Sequence, residues 1–381
     1  MSQIHFDHVA HSYGANPQSA EDYALQHMDF SWVDGGAYAL LGPSGCGKST
    51  LLNICSGLLT PSEGRVYFDD QDVTPMSPEA RNIAQVFQFP VLYDSMTVFD
   101  NLAFPLRNRG IDKAHVTERV NRVAEMLELE HVLRRGAGNL GAELKQKISM
   151  GRGLVREDTS AILFDEPLTV IDPQEKWLLR RKLKEIHAEF NKTLIYVTHD
   201  QTEALTFADQ VVVMSDGAMV QVGTPQELFE RPEHTFVGYF IGSPGMNFLP
   251  CKFDSGAVSV GDQSIELDQY SKDAVARHGD EELQLGIRPE FVRLVSDQAG
   301  DGGGGDQGTP VDVKAISPMG QFRLLTLDLA GYEIKARIPN SEVDDHASRV
   351  IVRFPPEWTC IYANNRLVGK ETSQQREQAN G

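Results

Sequence analysis

No run in this chain of 381 residues approaches the about 18 consecutive apolar residues that a membrane-spanning helix needs. Its opening, MSQIHFDHVA, has neither the basic cluster nor the apolar stretch of a secretory leader, so the chain is expected to stay in the cytoplasm. Cysteine is scarce too. Cys46, Cys55, Cys251 and Cys360 have no C-x-x-C spacing, which gives no support to a zinc site or a disulfide framework. Basic charge is in deficit: 35 Lys and Arg against 54 Asp and Glu leave a formal net charge of −19. No Lys/Arg-rich run offsets it, so no nucleic-acid partner is expected. What remains, 41% hydrophobic and 23% charged residues, is the make-up of an ordinary folded chain, and its length points to more than one domain.

Up to about residue 235, short apolar runs alternate with longer helical patterns, which predicts an α/β domain with a largely parallel sheet. The strands are read at Tyr38–Leu41, Ile83–Gln88, Ala161–Asp165 and Thr193–Thr198. Within it, residues 89–158 read as an inserted helical subdomain, where Val116, Val120, Val123 and Leu127 recur at helical spacing. From 236 to 381 short β-like runs such as Gln284–Gly286, Phe322–Leu329 and Val350–Phe354, separated by Gly, Asp and Pro, predict a small all-β domain. Two stretches of it, Ser296–Pro310 (SDQAGDGGGGDQGTP) and Gly369–Gly381, are expected to be a flexible loop and a disordered tail.

Two motifs carry chemistry. Gly42-Pro43-Ser44-Gly45-Cys46-Gly47-Lys48-Ser49 fits G-x-x-x-x-G-K-[ST] between an apolar strand and the helical run Thr50–Leu59. Backbone amides of such a loop wrap phosphates, Lys48 reaches the β- and γ-phosphates, Ser49 ligates Mg²⁺, and Thr50 completes the set. Cys46 lies at a helix N-terminus, a setting that lowers a thiol's pKa. Downstream, the apolar run Ala161–Phe164 leads into Asp165-Glu166, where Asp165 can hold Mg²⁺ and Glu166 can polarise the attacking water. ATP and Mg²⁺ are the expected cofactors.

In this order, the motifs resemble the ABC (ATP-binding cassette) ATPases, and among them the ATP-hydrolysing subunits of carbohydrate and polyol importers. The resemblance implies a P-loop NTPase cassette with a helical insertion, followed by an OB/TOBE-like β domain. Tyr13 in HSYG then looks like the adenine-stacking aromatic, and Gln88 in VFQFPVLYDSMTVFDNLAF like the glutamine that touches Mg²⁺ or the attacking water. His199 in YVTHDQTEAL resembles the switch histidine, and Leu168–Asp172 (LTVID), with Asp172 in the nucleotide set, the loop after the catalytic carboxylate. Phe240–Pro244, Met246–Phe248 and Gly286–Glu290 resemble the importers' C-terminal domain. The family implies two transmembrane permease subunits touching the helical segment and the Gln88 loop, an extracytoplasmic binding protein, and a place on the cytoplasmic face of the membrane. Rival readings are a nucleic-acid ABC ATPase and a binding-only regulatory subunit.

The pattern breaks at the signature loop, normally Leu-Ser-Gly-Gly-Gln. Here it reads Leu140-Gly141-Ala142-Glu143-Leu144. The serine is missing, and Glu143 brings negative charge to a helix end that would face a polyanion. Two outcomes stay open: a homodimer with Glu143 in solvent, or, favoured here, a heterodimer with a different ABC ATPase. The same substitution resembles glycerol-type importer subunits, which tilts the substrate toward glycerol or a related polyol.

Overall fold

The computed structural model describes residues 3–254, 257–278, 282–295, 308–344 and 346–368. The expected tail, 369–381, and the expected loop up to residue 307 lie outside them. The chain divides into two units, Met1–Pro225 and Gln226–Gly381.

In the first unit the strands are β1 (Ile4–His11), β2 (Leu25–Trp32), β3 (Ala37–Leu41), β4 (Glu63–Phe68), β5 (Gln71–Asp72), β6 (Ala84–Val86), β7 (Ile162–Asp165), β8 (Leu194–Thr198), β9 (Gln210–Ser215) and β10 (Ala218–Gly223). The helices are α1 (Lys48–Ser56), α2 (Pro78–Arg81), α3 (Val98–Asn108), α4 (Lys113–Met126), α5 (Ala142–Leu154), α6 (Pro173–Phe190) and α7 (Gln201–Phe207). One sheet has the order β10-β9-β3-β8-β7-β6 and is parallel except for the β9–β10 hairpin. The five residues of β3, AYALL, are all buried, as a strand covered on both faces must be. A second sheet, β2-β1-β4-β5, is wholly antiparallel and differs from the single, largely parallel sheet expected, because β1 pairs with β4 across residues as distant as Ile4 and Phe68.

Two further boundaries differ from expectation. The run Ile83–Gln88 is strand only over Ala84–Val86, so Gln88 lies in the loop beyond the sheet. The first helix starts two residues before Thr50 and stops at Ser56. Its buried C-terminal end is closed by the buried Arg81, which donates to the carbonyls of Ile54 (2.6 Å) and Cys55 (3.0 Å) and to that of Thr74 (3.0 Å). A guanidinium placed there satisfies orphan carbonyls and complements the negative helix end.

The second unit contains α8 (Pro225–Glu230), α9 (Thr235–Phe240), β11 (Asn247–Asp254), β12 (Ala257–Val260), β13 (Gln263–Ile265), α10 (Gln269–Val275), β14 (Leu283–Ile287), β15 (Arg293–Val295), β16 (Thr309–Met319), β17 (Phe322–Leu329), β18 (Tyr332–Pro339), β19 (Arg349–Arg353), β20 (Cys360–Ala363) and β21 (Arg366–Val368). Thr309 and Pro310, read from sequence as loop, open a strand instead: Thr309 pairs with Val352 and Pro310 with Ile351. Two sheets, β13-β12-β11-β14-β20-β21 and β15-β19-β16-β17-β18, close on one core that includes Leu285, Leu325, Leu327 and Ile334. Asn247 pins them together, donating to the Lys335 carbonyl (2.9 Å) and accepting its amide (2.8 Å).

The division falls ten residues before the expected 235 for a physical reason. The buried Arg288 donates to carbonyls of Leu228, Phe229, Gly238 and Ile241, which draws α8 and α9 into the β unit. Burial pushes this guanidinium down to about 10. Four carbonyl acceptors compensate for its lost hydration.

Candidate active site

The loop between β3 and α1 is shaped by its glycines. Gly47 has φ +99°, and a Cβ there would stand 2.5 Å from the Ala24 carbonyl oxygen, so no other residue fits. Lys48 is buried, with its ammonium folded over the loop to donate to the carbonyls of Gly42 and Pro43, both at 2.8 Å. Ser44 and Ser49 are exposed beside it. Cys46 is buried 3.7 Å from Lys48 Nζ. Burial pushes its thiol above the ordinary value despite the nearby ammonium, opposite to the lowering expected from a helix N-terminus. Desolvation outweighs the helix dipole because the sulfur points into the core.

Asp165 ends β7, and Glu166 follows with φ +46° while its amide donates to the Val197 carbonyl at 3.0 Å. Burial, and then the charge of Glu166, push the Asp165 carboxyl above its ordinary range, while Lys48 pulls the other way. Glu166 is held at both oxygens: His199 Nδ1 lies 3.2 Å from Oε1, and Thr169 Oγ1 donates to Oε2 at 3.3 Å. His199 itself is exposed between β8 and α7. Next to it in sequence, Thr198 donates to the buried Glu203 (2.9 Å), which also accepts from Tyr196 (3.0 Å) and pairs with Lys176 at 3.3 Å. Lys48, Asp165, Glu166 and His199 thus converge at the C-terminal ends of β3, β7 and β8, where open α/β sheets hold ligands.

Tyr13 is 70% exposed, its hydroxyl 3.3 Å from Thr50 Oγ1 and its ring edge-on to His11 at 4.7 Å. Asp172 is the N-cap residue of α6 without a side-chain cap bond. Gln88 is half-buried, and the carbonyl of its neighbour Phe87 accepts from the buried Gln146 of α5 at 3.2 Å. Leu140–Leu144 stand apart from this cluster, across the N-terminus of α5, where Gly141 is an N-cap with no side chain to offer. Glu143 is not the bare anion that the sequence suggested. Its Oε1 lies 2.8 Å from Lys147 Nζ.

Thr169, Gln146, Lys147 and Glu203 were not singled out from sequence. Only Lys147 left a local signal, a Glu with a Lys four positions on. The others depend on partners 3, 7 or 59 residues away.

Residues 25–169 match the family model described as ABC transporter, and 242–292 the model described as MalK OB fold domain. A protein of Yersinia enterocolitica named sn-glycerol-3-phosphate import ATP-binding protein UgpC is 38% identical over 337 residues, covering 87% of this chain and 90% of that protein. The chain belongs to the ABC transporter ATPases. Among these ATPases, the like-named proteins of Jannaschia sp. (39% identical, covering 90% of this chain and 92% of that protein) and Salmonella typhi (35%, covering 95% and 98%) are similar throughout. Of solved ABC structures, cbiO1 from Clostridium perfringens, part of the ABC transporter complex cbiONQ, superposes with TM-score 0.55 at 26% identity, over 60% of this chain and 90% of that one. The ADP conformation of MJ1267, an ATP-binding cassette of an ABC transporter, gives 0.52 at 26% identity over 61% and 96%. This subunit is therefore an ATP-binding ATPase with a cassette and an OB-type β domain. Among the described residues no helix is long and apolar enough to cross a membrane.

Proposed function

We propose that this ATPase is the motor subunit of an importer for a glycerol-type substrate, with sn-glycerol-3-phosphate, named in its relatives, the first candidate. Hydrolysis of ATP between this cassette and a second one would drive two separate permease subunits, with the chain on the cytoplasmic face and a binding protein delivering substrate outside.

The observation that carries the reading is the convergence of Lys48, Asp165, Glu166 and His199 at the C-terminal ends of β3, β7 and β8 beside the glycine-lined loop. Gly42–Thr50 cradle the phosphates and Tyr13 stacks on the base. Lys48 leaves the carbonyls of Gly42 and Pro43 for the β- and γ-phosphates. The donor set fits Mg²⁺: Ser49 offers a hydroxyl, Asp165 a carboxylate whose own ionisation is opposed by Glu166, and Gln88 an amide, all hard oxygen ligands. Bound there, the ion neutralises phosphate charge. Glu166 orients and deprotonates the attacking water once His199 and Thr169 release its oxygens, and His199 moves to the γ-phosphate. Asp172 and the Leu140–Leu144 loop face the second cassette.

A groove of about 280 Å³, lined by Phe87, Val91, Phe104, Pro105, Arg109 and Arg152, favours a permease contact. It joins the Gln88 loop to α3 and α5, and Phe89 and Val91 project beside it, 69% and 57% exposed. A shift of Gln88 at the phosphate would reach the permease through this wall.

Phosphate release by the assembled transporter tests the function, with retention of labelled MgATP by the full chain as its companion. Lys48→Ala should weaken retention by at least about tenfold, the value of one charge-assisted hydrogen bond. Undiminished retention in that variant, or no substrate-stimulated phosphate release by the wild type, would overturn the assignment.

A further inference from the structure

A carboxylate in the first turn of a helix suits the helix, whose positive end attracts anions, and opposes a second anion arriving at the same end. Glu143 stands at that point of α5, and side chains of a helix lean toward its N-terminus. Uncorrected, the carboxylate would lie over the amides that must meet a phosphate.

The structure corrects it within α5. Lys147, one turn further on, holds Glu143 Oε1 at 2.8 Å, in the Glu-before-Lys order that favours the pair. The Lys147 side chain is only 12% exposed, and the exposed Glu128 carboxylate lies 4.0 Å from its ammonium. Lys147 lines a crevice with Leu127, Leu179, Glu175, Arg181 and Lys182. The ammonium draws the carboxylate back along α5, away from the helix end. What remains at that end is Gly141 and Ala142, both exposed and uncharged.

We propose that Lys147 is a positioning residue that neutralises and retracts Glu143, so that the LGAEL loop of one copy can close on the terminal phosphate held by a second copy of this chain. The proposal rests on the nucleotide reading above, and it makes a different ATPase subunit unnecessary for closure. The serine hydroxyl of the usual loop is replaced here by bare amides kept clear by an ion pair.

The test uses the full chain carrying Glu166→Gln, titrated with MgATP while self-association is followed by sedimentation velocity and retention of labelled nucleotide is measured in parallel. The parent and Lys147→Arg should dimerise at the same nucleotide concentration. Lys147→Met keeps the apolar stem but leaves Glu143 uncompensated, and should need about tenfold more MgATP or greater. That loss should shrink in concentrated salt. Adding Glu143→Ser to Lys147→Met should restore dimerisation to within about twofold of the parent, since the charge needing compensation is gone.

Lys147→Met dimerising like the parent would overturn the proposal. So would a double variant as weak as Lys147→Met, which would assign Lys147 to packing alone. A parent that retains nucleotide yet stays monomeric would overturn the second copy as partner. A parent that retains no MgATP would overturn both this proposal and the functional reading, and the retention measurement distinguishes that case.

Discussion

Asp165 and Glu166 are two carboxylates in sequence, and the fold gives them different surroundings. Asp165 ends a buried strand where Lys48 opposes its desolvation, whereas Glu166 turns out through a positive φ to meet His199 and Thr169. The Asp165 carboxyl sits above its ordinary 3.8, so the folded state binds this proton more tightly than the unfolded chain does. Stability from this group is therefore lost as pH climbs from the unfolded value through the folded one. Asp165→Asn removes the charge at nearly constant shape. In nucleotide-free protein it should raise Tm at pH 7, by about 2–4 °C for each kcal/mol recovered, with the gain shrinking as pH falls and absent below about pH 4. Thermal melts across that range check it, and an unchanged or lowered Tm at pH 7 would refute it. On the proposed role of Asp165 as a magnesium ligand, the same variant should lose the stabilisation that MgATP gives the wild type.

At the scale of elements, α5 joins the two halves of the cassette's chemistry. Its N-terminus carries the LGAEL loop, and Gln146 in its second turn holds the Phe87 carbonyl next to Gln88. Gly141 at its N-cap has φ −66° and ψ 162°, open to any L-residue, and a Cβ there would meet nothing within 4 Å. Gly141→Ser should therefore fit without strain. It should add a few tenths of a kcal/mol through the cap, and lower the MgATP concentration for half-maximal turnover by about tenfold through one hydroxyl on a charged oxygen. Steady-state ATPase assays decide, and weaker apparent affinity would show that the amides alone are the better phosphate end. What could be read from sequence follows the same logic. The loop Gly42–Ser49 and the acidic pair were legible because their spacing is fixed by one turn and one strand end, and the α/β class because β3, β7 and β8 are continuous apolar runs. The antiparallel sheet was not, since β1 and β4 pair through residues as distant as Ile4 and Phe68. Neither was the clamp of Arg288 on α8 and α9, nor the seat of Glu203 on Tyr196, Thr198 and Lys176: a buried charge announces its partners only after the chain has folded.

At the scale of the whole molecule, the two units have separate cores. One is built on residues such as Phe6, Leu40, Leu51 and Leu163, the other on Val258, Leu285, Leu325 and Ile361. Every residue placed around the nucleotide, from Tyr13 to His199, belongs to Met1–Pro225. The helices that lead into the second unit, α8 and α9, are fastened within it by Arg288 and by the Tyr362 hydroxyl, which donates to the Pro232 carbonyl at 2.8 Å. A ligand that binds only the folded first unit can stabilise only that unit directly, by about 2.7 kcal/mol at a hundred times its dissociation constant. Calorimetry of the full chain should therefore resolve two transitions. Saturating MgATP should raise one of them by about 5–10 °C and leave the other within about 1 °C, and Lys48→Ala should remove the shift. Arg288→Met leaves four carbonyl groups without their donor and should lower the nucleotide-insensitive transition alone. A single transition that moves as one with nucleotide, or a loss in Arg288→Met that falls on the nucleotide-sensitive step, would mean that the two cores unfold cooperatively and that binding energy at the P-loop is shared with the β unit.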